Sequence, residues 1–193
     1  MRALHTSSRL PRSGNAALAG GALVQAALGL EFAFAGLNKA ANPNYAEQFR
    51  GFVQASPGSQ NGPLAPFIQT LVLPNVDLAA QLAKYTELVA GAVLMVTALE
   101  VLRRRLSGPL GAQHAYEPVV ALLSAVAAFA LGGMSLTIFL IQGGRLPSIN
   151  PAFAFSPPIA IELLLVPLAL GIAWLEFGRY LALRASPAAG AQA

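Results

Sequence analysis

The chain has 193 residues, of which 55% are hydrophobic and only 10% are charged, and its mean hydropathy is +0.59. Soluble domains carry about 25% charged residues, so this composition indicates an integral membrane protein. The net charge is +4, and the sequence contains no cysteine, which excludes disulfides, thiolate catalysis, iron–sulfur clusters and covalent c-type haem within this chain.

Four apolar segments, at about residues 15–38, 77–102, 117–142 and 159–183, are each long enough to cross a bilayer. They predict an all-α integral membrane four-helix bundle over residues 15–183, with tails at 1–14 and 184–193. The first segment has an alternative interpretation as a secretory signal peptide, with Ala33-Phe34-Ala35 as the cleavage site. Its apolar run exceeds the usual signal-peptide length of about 7 to 15 residues, and Glu31 interrupts its end, so we favour a retained span.

A long loop at 39–76 separates the first two spans and contains three helix-breaking motifs: Asn42-Pro43, Ser56-Pro57-Gly58 and Asn61-Gly62-Pro63. Two short helices fit between these motifs. The first has an apolar stripe at helical spacing, beginning with Tyr45 and Phe49, and is expected to lie flat at the membrane surface. The second, at 64–73, is too short to cross. Loops of this length are typically lids or binding loops.

The distribution of basic residues predicts the orientation. Eight arginines fall on the side of the two tails and the 103–105 run, against three basic residues, Lys39, Arg50 and Arg145, on the other side. Both termini are therefore expected to be cytoplasmic, with the 39–76 loop on the outer face. The arginines flank apolar segments instead of alternating with aromatic residues, so we expect the lipid bilayer and no nucleic acid as a partner. The two histidines, His5 and His114, lie outside the spans, so no haem is expected in this chain.

This topology brings charged residues of several spans into the outer half of the bundle. They are Glu31, Lys39, Lys84, Glu87, Arg145 and Glu162. A charge at mid-membrane costs about 2.5 to 3.5 kcal/mol, so we expect Glu31 and Glu87 to face the bundle interior and to be paired or protonated.

Two interpretations of this group remain open. In the first, a salt bridge of Glu31 or Glu87 with Lys84 or Lys39 only fixes the helix register. In the second, the residues line a polar pocket in which Glu31 and Glu87 are catalytic. Substrate would then bind to the remaining four charged residues, Lys39, Lys84, Arg145 and Glu162. Five aromatic residues of the spans are candidates for the pocket wall: Phe32, Phe34, Phe129, Phe139 and Trp174.

Two further patterns are predicted to be structural. Glu100 with Arg103 or Arg104, and Glu176 with Arg179, are expected to form ordinary pairs near helix ends. LNKAANPNYA after the first span and GGRLPSINPAFA after the third both contain a basic residue, then Asn-Pro and an aromatic residue. They mark either two helix-pair repeats or merely a shared turn.

The segments EFAFAGLNKAANP and KYTELVAGAVLMVTALEVL resemble the DoxX/DoxD family of small four-helix membrane proteins of bacteria and archaea. The resemblance implies a prokaryotic inner (plasma) membrane location. DoxD-type members form the membrane part of a thiosulfate:quinone oxidoreductase, and other members are linked to membrane redox or oxidative-stress complexes. The family-like pattern falls on Glu31, Gly36, Lys39, Glu87 and Gly91. Without cysteine, this chain cannot carry out the dithiol chemistry of the thiol-active relatives.

Two functional hypotheses follow. The chain is either a membrane subunit of a quinone-linked oxidoreductase, with a membrane quinone as its cofactor, or a non-catalytic accessory subunit of a larger complex of respiratory or photosynthetic type. Under both hypotheses, other membrane or peripheral subunits are expected as partners. A small transporter is a third reading, but four spans leave little room for an alternating-access site unless the protein oligomerises.

Overall fold

The computed structural model describes residues 12–106, 116–148 and 159–185. Four helices in this part of the chain are long and apolar enough to cross a membrane: Leu18–Ala41, Val76–Arg103, Glu117–Ile141 and Ile161–Ala185. None of these described residues forms a β-strand. The predicted all-α four-helix membrane bundle is therefore confirmed.

The helices follow in the order α1 (Arg12–Ala41), α2 (Tyr45–Ala55), α3 (Pro57–Asn61), α4 (Ala65–Phe67), a π-helical turn (Ile68–Val72), α5 (Val76–Leu106), α6 (Glu117–Ile141) and α7 (Ile161–Ala185). The membrane helices are α1, α5, α6 and α7, and α7 continues through Pro167. The Asn-Pro and aromatic part of the second repeat copy, at 149–153, lies outside the described residues, so the repeat stays a prediction.

Glycine contacts hold α1 directly against α5. A Cβ atom added to Gly36 would collide with the backbone of Leu88, and one added to Gly91 would collide with the backbone of Ala33. Small residues allow this close approach of membrane helices, whose association is driven by packing. These contacts place Ala41, the last residue of α1, level with Ala83. Consequently α5 begins about two turns beyond the end of α1.

The second helix pair, α6 with α7, packs through Gly132, which lies against Ala169 and Leu170. Between the two pairs lies a core of buried side chains contributed by all four membrane helices, among them Leu28, Leu94, Leu131 and Ile172. This core occupies the middle of the bundle.

The 42–75 segment packs over one end of the bundle, where α1 and α6 end and α5 and α7 begin. We call this end the loop end. Val53 of α2 and Ile68 of the π-helical turn are buried against Ile141, the last residue of α6. A Cβ atom on Gly58 would collide with the carbonyl oxygen of Leu140, so α3 also contacts α6 closely. The loop thus forms three short helices and a π-helical turn where two short helices were expected, and they pack directly on the bundle.

Candidate functional site

A cavity of about 440 Å³ lies at the loop end, beneath α2. Its walls combine aromatic residues of α2, a stripe of α6 and three charged side chains. The principal lining residues are Lys39, Tyr45, Phe49, Phe52, Glu87, Met134, Thr137, Ile138, Ile141 and Glu162. Ligand sites in proteins are typically concave, largely apolar and supplied with a few polar groups, and this cavity has all three properties.

An ion pair between α1 and α5 lies in this cavity. The Lys39 ammonium donates a hydrogen bond to Glu87 Oε2 at 2.5 Å. Glu87 is only 3% exposed, whereas the Lys39 side chain is 29% exposed. The pair forms because the glycine contacts hold Lys39 and Glu87 at nearly the same level of the helix pair. The salt-bridge interpretation allowed Lys84 or Lys39 as the partner, and in the structure Glu87 pairs with Lys39.

A second carboxylate reaches the cavity from α7. Glu162 lies in the first turn of that helix, where the helix dipole favours a negative charge. Its Oε1 accepts a hydrogen bond from Gln142 Nε2 at 3.1 Å, which connects the beginning of α7 to the end of α6. The cavity therefore contains two carboxylates and one ammonium group.

Tyr45 contributes a phenol to the cavity wall. Burial of the ring, together with the negative charge of Glu87, raises the pKa of Tyr45 to about 12. The phenol therefore keeps its proton at neutral pH and remains available as a hydrogen-bond donor to a ligand.

The structure brings together Lys39, Glu87 and Glu162 but leaves the other three predicted site residues outside the cavity. The expectation that Glu31 faces the bundle interior is wrong, because its side chain is exposed on the surface of α1. Lys84 does not pair with Glu87; its ammonium lies 4.9 Å from the ring centroid of Tyr85. Arg145 is exposed in the segment after α6.

The predicted aromatic wall is also wrong. Phe32 and Phe139 are buried away from the cavity, and Phe34 is exposed on α1. Phe129 and Trp174 instead line an apolar groove of about 450 Å³ between α6 and α7.

The aromatic wall comes from α2 instead, through Tyr45, Phe49 and Phe52. The helical spacing of this stripe was visible in the sequence. It indicated an apolar face without indicating what that face contacts.

Sequence reasoning also missed a buried amide cluster in the middle of the bundle. Gln25 is 1% exposed, and its Nε2 lies 2.6 Å from Thr97 Oγ1, 3.2 Å from the Leu94 carbonyl oxygen and 3.3 Å from Ser124 Oγ. These contacts connect α1, α5 and α6. An uncharged residue within an apolar segment gives no strong signal in hydropathy, which is why the cluster was overlooked.

The predicted pairs near the helix ends are confirmed. Glu100 accepts two hydrogen bonds from Arg103 at 3.0 Å, and Glu176 accepts one from Arg179 at 2.9 Å. Both pairs lie toward the end of the bundle opposite the cavity.

Together, fold and cavity define a small helical membrane protein with an amphipathic pocket at one end of its bundle. The part of the chain that the structure describes contains no group of three His, Cys, Asp or Glu residues that could hold a metal ion. No protein-family model matches the chain, and neither the curated proteins nor the solved structures include a match. The resemblance to the DoxX/DoxD family therefore stays a prediction.

Proposed function

We propose that the loop-end cavity binds the head group of a membrane quinone and that the chain is a membrane subunit of a quinone-linked oxidoreductase of DoxX/DoxD type. One observation carries the proposal: the Lys39–Glu87 ion pair lies beneath the aromatic face of α2, in a cavity that also contains Glu162. Aromatic walls and hydrogen-bond donors suit the flat ring and carbonyl oxygens of a quinone head group, and carboxylates can supply the protons for its reduction.

The donors and the walls have separate roles. A quinone has a flat ring that packs against aromatic side chains, here Phe49 and Phe52. Its two carbonyl oxygens accept hydrogen bonds, for which Lys39 and Tyr45 offer an ammonium and a protonated phenol. A volume of about 440 Å³ lies within the usual range for small-molecule sites, about 300 to 1,000 Å³.

Reduction of a quinone to a quinol takes up two electrons and two protons. We assign the protons to Glu87 and Glu162, because positioned carboxylates transfer protons and both side chains line the cavity. Glu31, predicted from the sequence as the second proton carrier, lies on the surface of α1, so the geometry favours Glu162 in its place. The electrons would come from a donor bound by a partner subunit.

The excess of arginine at the opposite end supports an orientation in which both termini are cytoplasmic. The loop end would then lie on the outer side of a prokaryotic inner membrane. An anionic donor such as thiosulfate would be attracted to the basic residues there, Lys39, Lys84 and Arg145.

Binding of quinone to the full chain in nanodiscs tests the proposal, with short-tailed benzoquinone and naphthoquinone as probes. Lys39→Met should weaken binding about tenfold or more and Tyr45→Phe about two- to tenfold, because a hydrogen bond is worth about 1.5 to 3 kcal/mol from a charged donor and about 0.5 to 1.5 kcal/mol from a neutral one. Glu176→Gln is the matched control, since Glu176 is also buried and ion-paired, but at the opposite end. Equal binding by all four proteins, or no binding by the wild type, would contradict the proposal. Reduction of bound quinone by thiosulfate, measured on the chain purified together with its partner subunits, then tests the DoxD-type activity.

The second candidate is a non-catalytic accessory subunit. The same ion pair favours it, because the Glu87 carboxylate already has a partner and requires no ligand. Stoichiometric co-purification with a larger complex, combined with a lack of quinone binding, would support this function over the first.

A further inference from the structure

Glu31 takes no part in the cavity, and its position on α1 points to a different role. We propose that the face of α1 that carries Glu31 docks a transmembrane helix of a different protein chain, and that this helix presents a lysine or arginine to Glu31. This inference does not depend on quinone binding.

The surface of α1 divides into two stripes. Large apolar side chains, Leu23, Leu30, Phe34 and Leu37, follow one another at helical spacing and are exposed, as expected of a lipid-facing surface.

The neighbouring stripe has a different composition. It consists of Gly20, Val24, Ala27, Glu31 and Asn38, all of them exposed. Small residues together with a polar side chain are typical of membrane helix–helix interfaces, because small residues let backbones approach and polar groups bond across the contact. We call this stripe the Glu31 face.

The depth of Glu31 makes lipid an unfavourable neighbour. Glu31 lies eight residues below Lys39, about 12 Å, and Leu18, where the membrane-spanning part of α1 begins, lies about 20 Å below Glu31. A glutamate side chain is too short to reach water over either distance. Among the residues that the structure describes, none forms a hydrogen bond or ion pair with Glu31, and the charge that acts on it from α5 is the like charge of Glu87. Ionisable residues in membrane spans usually have a partner, and the described residues of this chain supply none.

The described residues of a second copy do not supply that partner. Copies in one membrane share the same depth profile, and the glycine contacts place Lys84 level with Ala40, about 13 Å above Glu31. Arg103 lies about 15 Å below Glu31 by the same register. No basic side chain within the described ranges is level with Glu31, and a symmetric α1–α1 contact would bring two Glu31 carboxylates together.

Photocross-linking in native membranes tests the proposal with the full chain. A photoreactive residue at Ala27, one turn from Glu31, should give a discrete protein adduct. Mass spectrometry of the adduct should identify a transmembrane segment of the partner protein that contains a lysine or arginine. The matched control at Leu30, on the lipid-facing stripe, should give lipid adducts. Glu31→Leu should reduce the Ala27 adduct about fivefold or more, whereas Glu31→Asp should retain it.

A defined probe provides an independent measurement. Designed transmembrane peptides with a central lysine or a central leucine are mixed with the labelled chain in liposomes, and association is followed by energy transfer. The lysine peptide should bind about fivefold more tightly than the leucine peptide, and Glu31→Leu should abolish the difference. Unchanged thermal unfolding of Glu31→Leu confirms that the variant is folded. The proposal is overturned by equal affinity for the two peptides. It is equally overturned if Ala27 cross-links to a second copy, only to lipid, or to a segment without a basic residue.

Discussion

The two halves of the Lys39–Glu87 ion pair should contribute unequally to stability. Replacing Lys39 by methionine leaves the Glu87 carboxylate, whose side chain is 4% exposed, without its charge partner. Replacing Glu87 by glutamine leaves the Lys39 ammonium, whose side chain is 29% exposed and can turn toward water. Losing the lysine should therefore cost more than losing the glutamate.

The burial of each side chain sets the magnitudes. Removing one partner of a fully buried pair costs about 3 to 5 kcal/mol. Because Lys39 is partly hydrated, we expect Lys39→Met to lower the free energy of unfolding by about 2 to 4 kcal/mol. Glu87→Gln keeps a hydrogen-bond acceptor for the ammonium, so its expected cost is about 1 kcal/mol. In the double variant the carboxylate is no longer stranded, and the total cost should fall below the sum of the single costs by about 1 to 3 kcal/mol.

The free energy of unfolding can be measured by titrating sodium dodecyl sulfate into mixed micelles and following the loss of helical circular dichroism. Arg179→Met breaks the ion pair with Glu176 at the opposite end of the bundle and shows whether the loss of any such pair has the same cost. The reasoning is refuted if Glu87→Gln costs as much as Lys39→Met, or if the costs of the two single variants simply add.

Two further predictions concern a helix contact and a titration. Gly36→Ala should destabilise the bundle by about 1 to 3 kcal/mol, since the added Cβ collides with the Leu88 backbone. By contrast, Gly133→Ala, which has open space around it, should be neutral or stabilising by up to about 1 kcal/mol in the same unfolding measurement. Because the folded pKa of Tyr45 is about 12, above the ordinary value of 10.0, stability should be retained below pH 10 and fall as the pH rises toward 12. The difference in phenolate absorbance between the wild type and Tyr45→Phe measures the pKa of Tyr45. In Glu87→Gln this pKa should be lower than in the wild type but still above 10. A pKa of 10 in the wild type would contradict the assignment.

Hydropathy was sufficient to predict the number, order and approximate bounds of the spans, because each crossing requires a long apolar run. It was also sufficient to bring Lys39, Glu87 and Glu162 to one end of the bundle. Hydropathy did not predict the rotation of α1. Most of that helix is apolar on every side, so the sequence alone did not show that Glu31 points outward.

The relative depth of the helices was the second unpredicted quantity. If the outer ends of α1 and α5 were level with each other, Lys84 would lie beside Glu31. The contacts at Gly36 and Gly91 instead shift α5 by about two turns, which places Lys39 beside Glu87. Such contacts depend on which glycines meet, and hydropathy carries no information on that choice.

The offset between the ends of α1 and α5 at the loop end has a consequence for the lipid around them. The 31 residues of α5 span about 46 Å, whereas the hydrocarbon of a typical bilayer is about 30 Å thick. Because α1 ends two turns earlier, its last turn, with Lys39, lies close to the hydrocarbon boundary. Longer acyl chains would move that boundary past Lys39 and remove the water that its ammonium now reaches. Hydrophobic mismatch would therefore act first on the Lys39–Glu87 pair, and bilayer thickness would govern how α1 is held to α5.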